Sequence, residues 1–291
     1  MAQAFASKTR LILNMIKFEH TIFALPFALI ALLLAARTAP QGLTAHTVFY
    51  VVLAMVGARS AAMAFNRLVD AEIDTANPRT AARHIPAGLL SRTQVGLFLV
   101  LALSLFEFAA FQLNRLCFLL SPLALIAILG YSYTKRFTAL CHLVLGFAIG
   151  IAPIGAWLAV RGTFDAVPLL LGAVVMLWIG GFDIIYALQD YENDVASPLH
   201  SIPKALGKAN ALLVSRAMHF VMLVLLVVIG KLSGMHGVYF AGVAVVAGLI
   251  VYEQSLVKPN DLRRVDMAFF TLNGWVSMSL LAFVTLDLLV R

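Results

Sequence analysis

Asn66-Arg67-Leu68-Val69-Asp70-Ala71-Glu72-Ile73-Asp74 is the stretch from which the rest of the chain is read. It has the form N-x-x-x-D-x-x-x-D. As a helix, a spacing of four sets Asn66, Asp70 and Asp74 on one face, with neighbouring Cβ atoms roughly 5–6 Å apart. Two carboxylates about 6 Å apart, at an effective dielectric of about 20, repel by ~3 kcal/mol. Water, a basic side chain or a divalent cation with oxygen ligands must offset that repulsion. Far downstream, Tyr186-Ala187-Leu188-Gln189-Asp190-Tyr191-Glu192-Asn193-Asp194 carries D-x-x-x-D again. Glu72 and Glu192 point away from the aspartate face of such a helix.

The sequence around these two motifs is apolar. Of 291 residues 62% are hydrophobic and only 12% charged, more apolar surface than a soluble domain of this length can bury. Nine apolar segments have spanning length: 20–36, 45–65, 93–112, 115–132, 139–160, 166–186, 209–230, 235–252 and 266–289. The chain reads as an all-α, polytopic membrane protein: one domain over 1–291, a nine-helix transmembrane bundle in the lipid bilayer. No secretory leader is evident, because the run after Lys8, Arg10 and Lys17 is long enough to span and lacks a clear cleavage site. Cys117 and Cys141 form neither a metal pattern nor a disulfide framework, and packing is their expected role.

The net charge of +7 does not indicate nucleic acid, because its distribution is that of an orientation signal. Fifteen Lys and Arg residues fall on the side of the N-terminus. Five fall opposite: Arg37, Arg115, Arg161, Lys231 and Arg291. That asymmetry predicts a cytoplasmic N-terminus, with both aspartate motifs cytoplasmic and the protein in a bacterial inner membrane. Asp70 and Asp190 are 120 residues apart, which hints at an internal duplication of a four-helix unit.

Asp70, Asp74, Asp190 and Asp194, with Asn66 as a neutral ligand, are the candidate Mg²⁺ ligands and catalytic carboxylates. Beside them lie Arg59, Arg67, Arg79, Arg83, Lys135, Arg136, Lys204 and Lys208. Carboxylates for a hard cation, surrounded by Arg and Lys, make the composition of a diphosphate site. Arg59 is the sharpest clue: it lies inside an apolar span, seven residues before Asn66 and on its face. An apolar bundle with a diphosphate site at its mouth suits a long isoprenyl diphosphate. Metal and basic residues would stabilise the leaving group. Tyr131, Tyr133, Phe182 and Tyr186 are candidates to shelter an allylic cation.

Arg59 through Gly88, with N66-x-x-x-D70-x-x-x-D74 and then Arg79-Thr80-x-x-Arg83-x-Ile85-Pro86-x-Gly88, resembles the signature region of the UbiA family of intramembrane aromatic prenyltransferases. Tyr186-Ala187-x-x-Asp190-x-x-x-Asp194 resembles its second aspartate motif. Tyr131-Ser132-Tyr133-Thr134-Lys135-Arg136-Phe137-Thr138 resembles its Y-x-x-x-K-R-x-T connection. The resemblance implies nine helices, Mg²⁺, a polyprenyl diphosphate donor and an aromatic carboxylic acid acceptor in ubiquinone or menaquinone synthesis. Arg59, Asn66, Arg79, Arg83, Tyr131, Lys135, Arg136, Tyr186 and Lys204 become the expected substrate-binding residues. The acceptor's carboxylate is assigned to Arg136 or Lys135.

Some positions depart from the pattern. His84 stands where many 4-hydroxybenzoate enzymes have Pro, and His200 where Lys is expected, with Lys204 available to supply the charge. The first span opens Lys17-Phe18-Glu19-His20-Thr21-Ile22-Phe23-Ala24-Leu25-Pro26-Phe27, which looks more like the branch associated with the futalosine route to menaquinone. The acceptor is thus 4-hydroxybenzoate or a dihydroxynaphthoate, with haem and lipid prenylation as other branches. The rival from another class is a transporter for an anionic substrate, which would place its site near the bilayer midplane on broken helices. The aspartate motifs instead lie at span ends.

Overall fold

A computed structural model describes residues 10–16 and 24–290. The polypeptide backbone there is helical, with no β-strand among the described residues. Eight helices are long and apolar enough to cross a membrane. A shorter apolar one, α1 (Leu25–Ala36), has 12 residues. The described part of the first expected span is this helix. Residues 17–23, with most of the stretch compared above, lie outside the described residues, as do Lys8 and Arg291.

The long helices are α2 (Ala45–Val69), α4 (Arg92–Leu113), α5 (Arg115–Thr134), α6 (Cys141–Arg161), α7 (Ala166–Ala187), α9 (Ile202–Leu232), α10 (Gly237–Leu256) and α11 (Asn273–Leu289). Two helices of six residues, α3 (Ala71–Ala76) and α8 (Tyr191–Ala196), follow the breaks at Asp70 and Asp190. The expected boundaries hold to a few residues except at α9. It begins at 202 rather than 209, where Ser201 caps the amide of Lys204 and Pro203 stands in the first turn. Gly207, at φ 78°, breaks this helix just inside its start.

Each aspartate motif is two helices rather than one. Asp70 sits at φ −91°, ψ 3° and Asp190 at φ −95°, ψ 1°, so the same break recurs 120 residues apart. The amide of Asp74 still donates to the carbonyl of Asp70, so the face expected from the spacing survives the kink. The offset extends beyond the motifs. Residues 115–134 and 237–256 are each a 20-residue helix, and the helices 45–69 and 166–187 each precede one of the breaks.

Glycine sets how close the central helices come. A Cβ on Gly146 of α6 would lie 2.2 Å from the carbonyl oxygen of Met176, and one on Gly150 would lie 2.5 Å from that of Gly172. Here α6 and α7 touch backbone to backbone. The main core gathers Phe27, Ile30, Trp157, Trp178, Leu226 and Tyr239 from α1, α6, α7, α9 and α10. A buried polar knot ties α7, α9, α10 and α11 together. Trp178 Nε1 donates to Asn273 Oδ1 at 2.7 Å, and Gln254 Nε2 lies 2.9 Å from Ser215 Oγ. Before α11 the chain makes a π-helical turn, Met267–Leu272, whose Phe269 and Phe270 face the cavity described next. Such turns cluster at functional sites.

Candidate active site

Both motifs open into one cavity of about 940 Å³. Its polar end is lined by Asn66, Asp70, Asp74, Arg79, Arg83, Lys135, Asp190 and Asp194. Its apolar depth is lined by Met63, Leu145, Ile149, Ile179, Phe182, Phe269 and Phe270. Asn14 and Met15 also line it, and Met15 packs with Ala64, Leu90 and Val95. The segment 10–16 therefore lies on the same side of the bundle as the motifs.

Every aspartate of the motifs is held by a neighbour. Asp70, 1% exposed, accepts from Lys135 Nζ at 2.6 Å, Asn66 Nδ2 at 2.8 Å and Arg136 Nη2 at 3.1 Å. Asp74 Oδ1 accepts from Arg83 Nη1 at 2.6 Å. Its Oδ2 is buried without a hydrogen bond, and Arg67 Nη1 lies 4.0 Å from it. Asp190 takes a bidentate contact from Arg79 and a bond from Asn77 Nδ2 at 2.9 Å. Asp194 lies beside Ser201 and Asp190. Asn77 and Arg79 belong to the connection after the first motif, so that connection grips the second motif. Burial disfavours the charge on Arg79. Its bonds to Asp190 outweigh that and hold the guanidinium above its ordinary range.

The donor set fits a hard divalent cation. It consists of carboxylate and amide oxygens, and the buried Asp74 Oδ2 lacks a partner. Among the described residues no three His, Cys, Asp or Glu side chains form a cage that could hold a metal ion. Magnesium does not require one, since it typically binds one or two carboxylates and completes its shell with water and phosphate oxygens. The repulsion expected between the aspartates is offset by basic partners, one or more for each of Asp70, Asp74 and Asp190.

Arg59, Asn66, Arg79, Arg83, Tyr131, Lys135 and Tyr186 all line the cavity. Arg136 does not: it lies behind Asp70, bonds the carbonyls of Ser132 and Val69, and sits over the Tyr133 ring. Lys204 is also absent from the lining, its ammonium donating to the carbonyls of Ser197 and Leu199. His200 and His84, noted as departures from the family pattern, do line the cavity. Tyr133 packs on Phe65 away from it. Glu72 and Glu192 have side chains 89% and 82% exposed, which puts both off the site.

Sequence reasoning missed Asn77, His142, Asp183, Phe269 and Phe270, all of which line the cavity. Phe182, Phe269 and Tyr186 form one aromatic wall, with centroid distances of 5.0 Å and 4.2 Å. Asp183 left a legible signal, being a carboxylate inside an apolar span two turns before Asp190. Phe269 and Phe270 left none, because aromatic side chains are ordinary in a hydrophobic segment.

The model of the UbiA prenyltransferase family matches residues 24–275. A 4-hydroxybenzoate octaprenyltransferase of Aliivibrio fischeri is 31% identical over 244 residues, 84% of each chain. The apo structure of a UbiA homolog from Aeropyrum pernix K1 superposes with a TM-score of 0.84 at 34% identity, covering 93% of this chain and 98% of the other. A UbiA homolog from Archaeoglobus fulgidus, bound to DMAPP and Mg²⁺, shares the fold with a TM-score of 0.71 at 17% identity, covering 96% of this chain and 99% of that one.

Proposed function

The chain belongs to the UbiA prenyltransferase family, and from that premise we propose that it transfers a polyprenyl group from polyprenyl diphosphate to a hydroxylated aromatic carboxylic acid, with Mg²⁺ as cofactor. One observation carries the reading: two aspartate motifs and their Arg and Lys partners share the mouth of a cavity whose depth is apolar and aromatic. An anionic head and an apolar tail fit that gradient together. A midplane transport site does not, since the charges lie where α2 and α7 end.

The diphosphate is bound by Arg79, Arg83 and Lys135, which line the cavity. Each of them now contacts an aspartate and can turn to phosphate oxygens when the aspartates take up metal. Magnesium ions on Asp70, Asp74, Asp190 and Asp194 would neutralise charge on the leaving diphosphate. Phe182, Tyr186 and Phe269 present π-faces beneath the polar end, where an allylic cation would be sheltered. Arg59 and His200, which also line the cavity, are the basic side chains proposed to meet the acceptor's carboxylate. Arg136 orients Asp70 from behind rather than binding substrate.

The relatives' names make 4-hydroxybenzoate the first acceptor to try, and a dihydroxynaphthoate has the same chemistry of hydroxyl and carboxylate on a ring. Purified protein with geranyl diphosphate, Mg²⁺ and a panel containing both acids tests the reading. A prenylated acid that forms only with divalent metal is expected. No product with any member of the panel would sink it.

A further inference from the structure

We propose that Asp183, held by His142, accepts the proton that the aromatic acceptor loses as it is prenylated. This assignment rests on the function proposed above and adds the acid–base group which that function requires.

Asp183 lies on α7 seven residues before Asp190, about 10 Å deeper along the helix at 1.5 Å per residue. It therefore stands below the diphosphate end, beside Phe182 and level with the aromatic wall. Its Oδ2 is 2.7 Å from His142 Nδ1. The amide of Ile202 donates to His142 Nε2 at 3.3 Å, which leaves Nδ1 as the donor to Asp183. His142 is 4% exposed, whereas the Asp183 side chain is 23% exposed in the cavity. Among the described residues Oδ1 of Asp183 has no hydrogen-bond partner, and the residue lines that space.

The motif aspartates are poor candidates for this proton. Asp70, Asp74 and Asp190 are paired with Lys or Arg, and would be bound to metal during turnover. Asp194 and Asp266, held by Ser201 and Gln189, lie beyond the end of α7 with the second motif, whereas Asp183 lies inside α7 beside Phe182. The reaction balances with it. The C1–O bond of the donor breaks and its electron pair leaves with the diphosphate. A ring carbon of the acceptor uses a π pair to bond C1. That carbon's C–H pair then returns to the ring, and its proton passes to Asp183 Oδ1. His142 is the positioning residue, keeping the carboxylate turned toward the ring.

The test uses the aromatic acid that the wild-type chain prenylates, both unlabelled and deuterated at the carbon that is substituted. In Asp183→Asn, product formation should fall on the order of 100-fold or more. Metal-dependent release of diphosphate from geranyl diphosphate without acceptor should continue. In His142→Gln, whose amide can still donate to Asp183, part of the turnover should remain, and His142→Leu should lose more. In both, slower proton removal should raise the deuterium isotope effect above the wild-type value. Asp183→Asn that makes product at the wild-type rate would overturn the assignment. So would a loss of diphosphate release in parallel with product, or an isotope effect unchanged in both His142 variants. The His142 variants decide the matter if Asp183→Asn does not fold. Wild-type protein that prenylates no acid would instead remove the proposed function, and this assignment with it.

Discussion

Asp70 holds two cations, so replacing it has two separable effects. Asp70→Asn removes an anionic ligand from the cavity, and turnover should fall by on the order of 100-fold or more, as when a charge-stabilising group is lost. It also takes the carboxylate from Lys135 and one of three hydrogen-bond partners from Arg136, which keeps the carbonyls of Ser132 and Val69. Relief of like-charge repulsion, expected from spacing alone, is therefore the wrong sign. Thermal unfolding in detergent should show a loss of about 1–3 kcal/mol, the cost of leaving buried polar groups unpaired. Glu72→Gln and Glu192→Gln are the controls. Both side chains are exposed, and their changes should stay within ~0.5 kcal/mol and leave turnover nearly intact. The face carrying Asn66, Asp70 and Asp74 was legible because a period of four is a local property. The grip of Arg79 on Asp190, 111 residues apart, was not, because nothing in a single sequence says which loop folds over which motif.

Among the helices, α6 and α7 are set by glycine, and the pair decides whether His142 can reach Asp183. Gly146→Ala should therefore act at a distance. The new methyl group meets the Met176 carbonyl, the helices must part, and overpacking should cost about 1–3 kcal/mol in unfolding measurements. Gly155→Ala on the same helix meets nothing within 4 Å and should be neutral or slightly stabilising. Hydropathy located these helices well, since an apolar run of spanning length has few other fates. It placed the start of α9 late because the first turn, Ile202-Pro203-Lys204-Ala205-Leu206, is too mixed for an apolar window. The cap Ser201 and the following proline were the better signal. The π turn before α11 was invisible to periodicity, yet it helps place the aromatic wall.

For the whole molecule, the basic asymmetry predicts the orientation, and the bundle's alternation puts Leu89 and Thr163 on opposite faces. In a chain whose native cysteines are replaced, a membrane-impermeant maleimide applied to intact cells should label a cysteine at 163 and spare one at 89. The reverse pattern would invert the topology. Both positions are exposed, so accessibility does not bias the result. The recurrence of the break at Asp70 and Asp190 has a further consequence. Each motif belongs to its own run of helices, and the exposed turn at residues 162–165 is the covalent link between α6 and α7. The α6–α7 seam is backbone against backbone, so the halves can recognise each other without that link. Two polypeptides, 1–162 and 163–291, made from separate messages in one cell, should find each other in the bilayer and co-purify. Neither should show prenyl transfer alone, because each brings only one of the two aspartate pairs to the shared cavity.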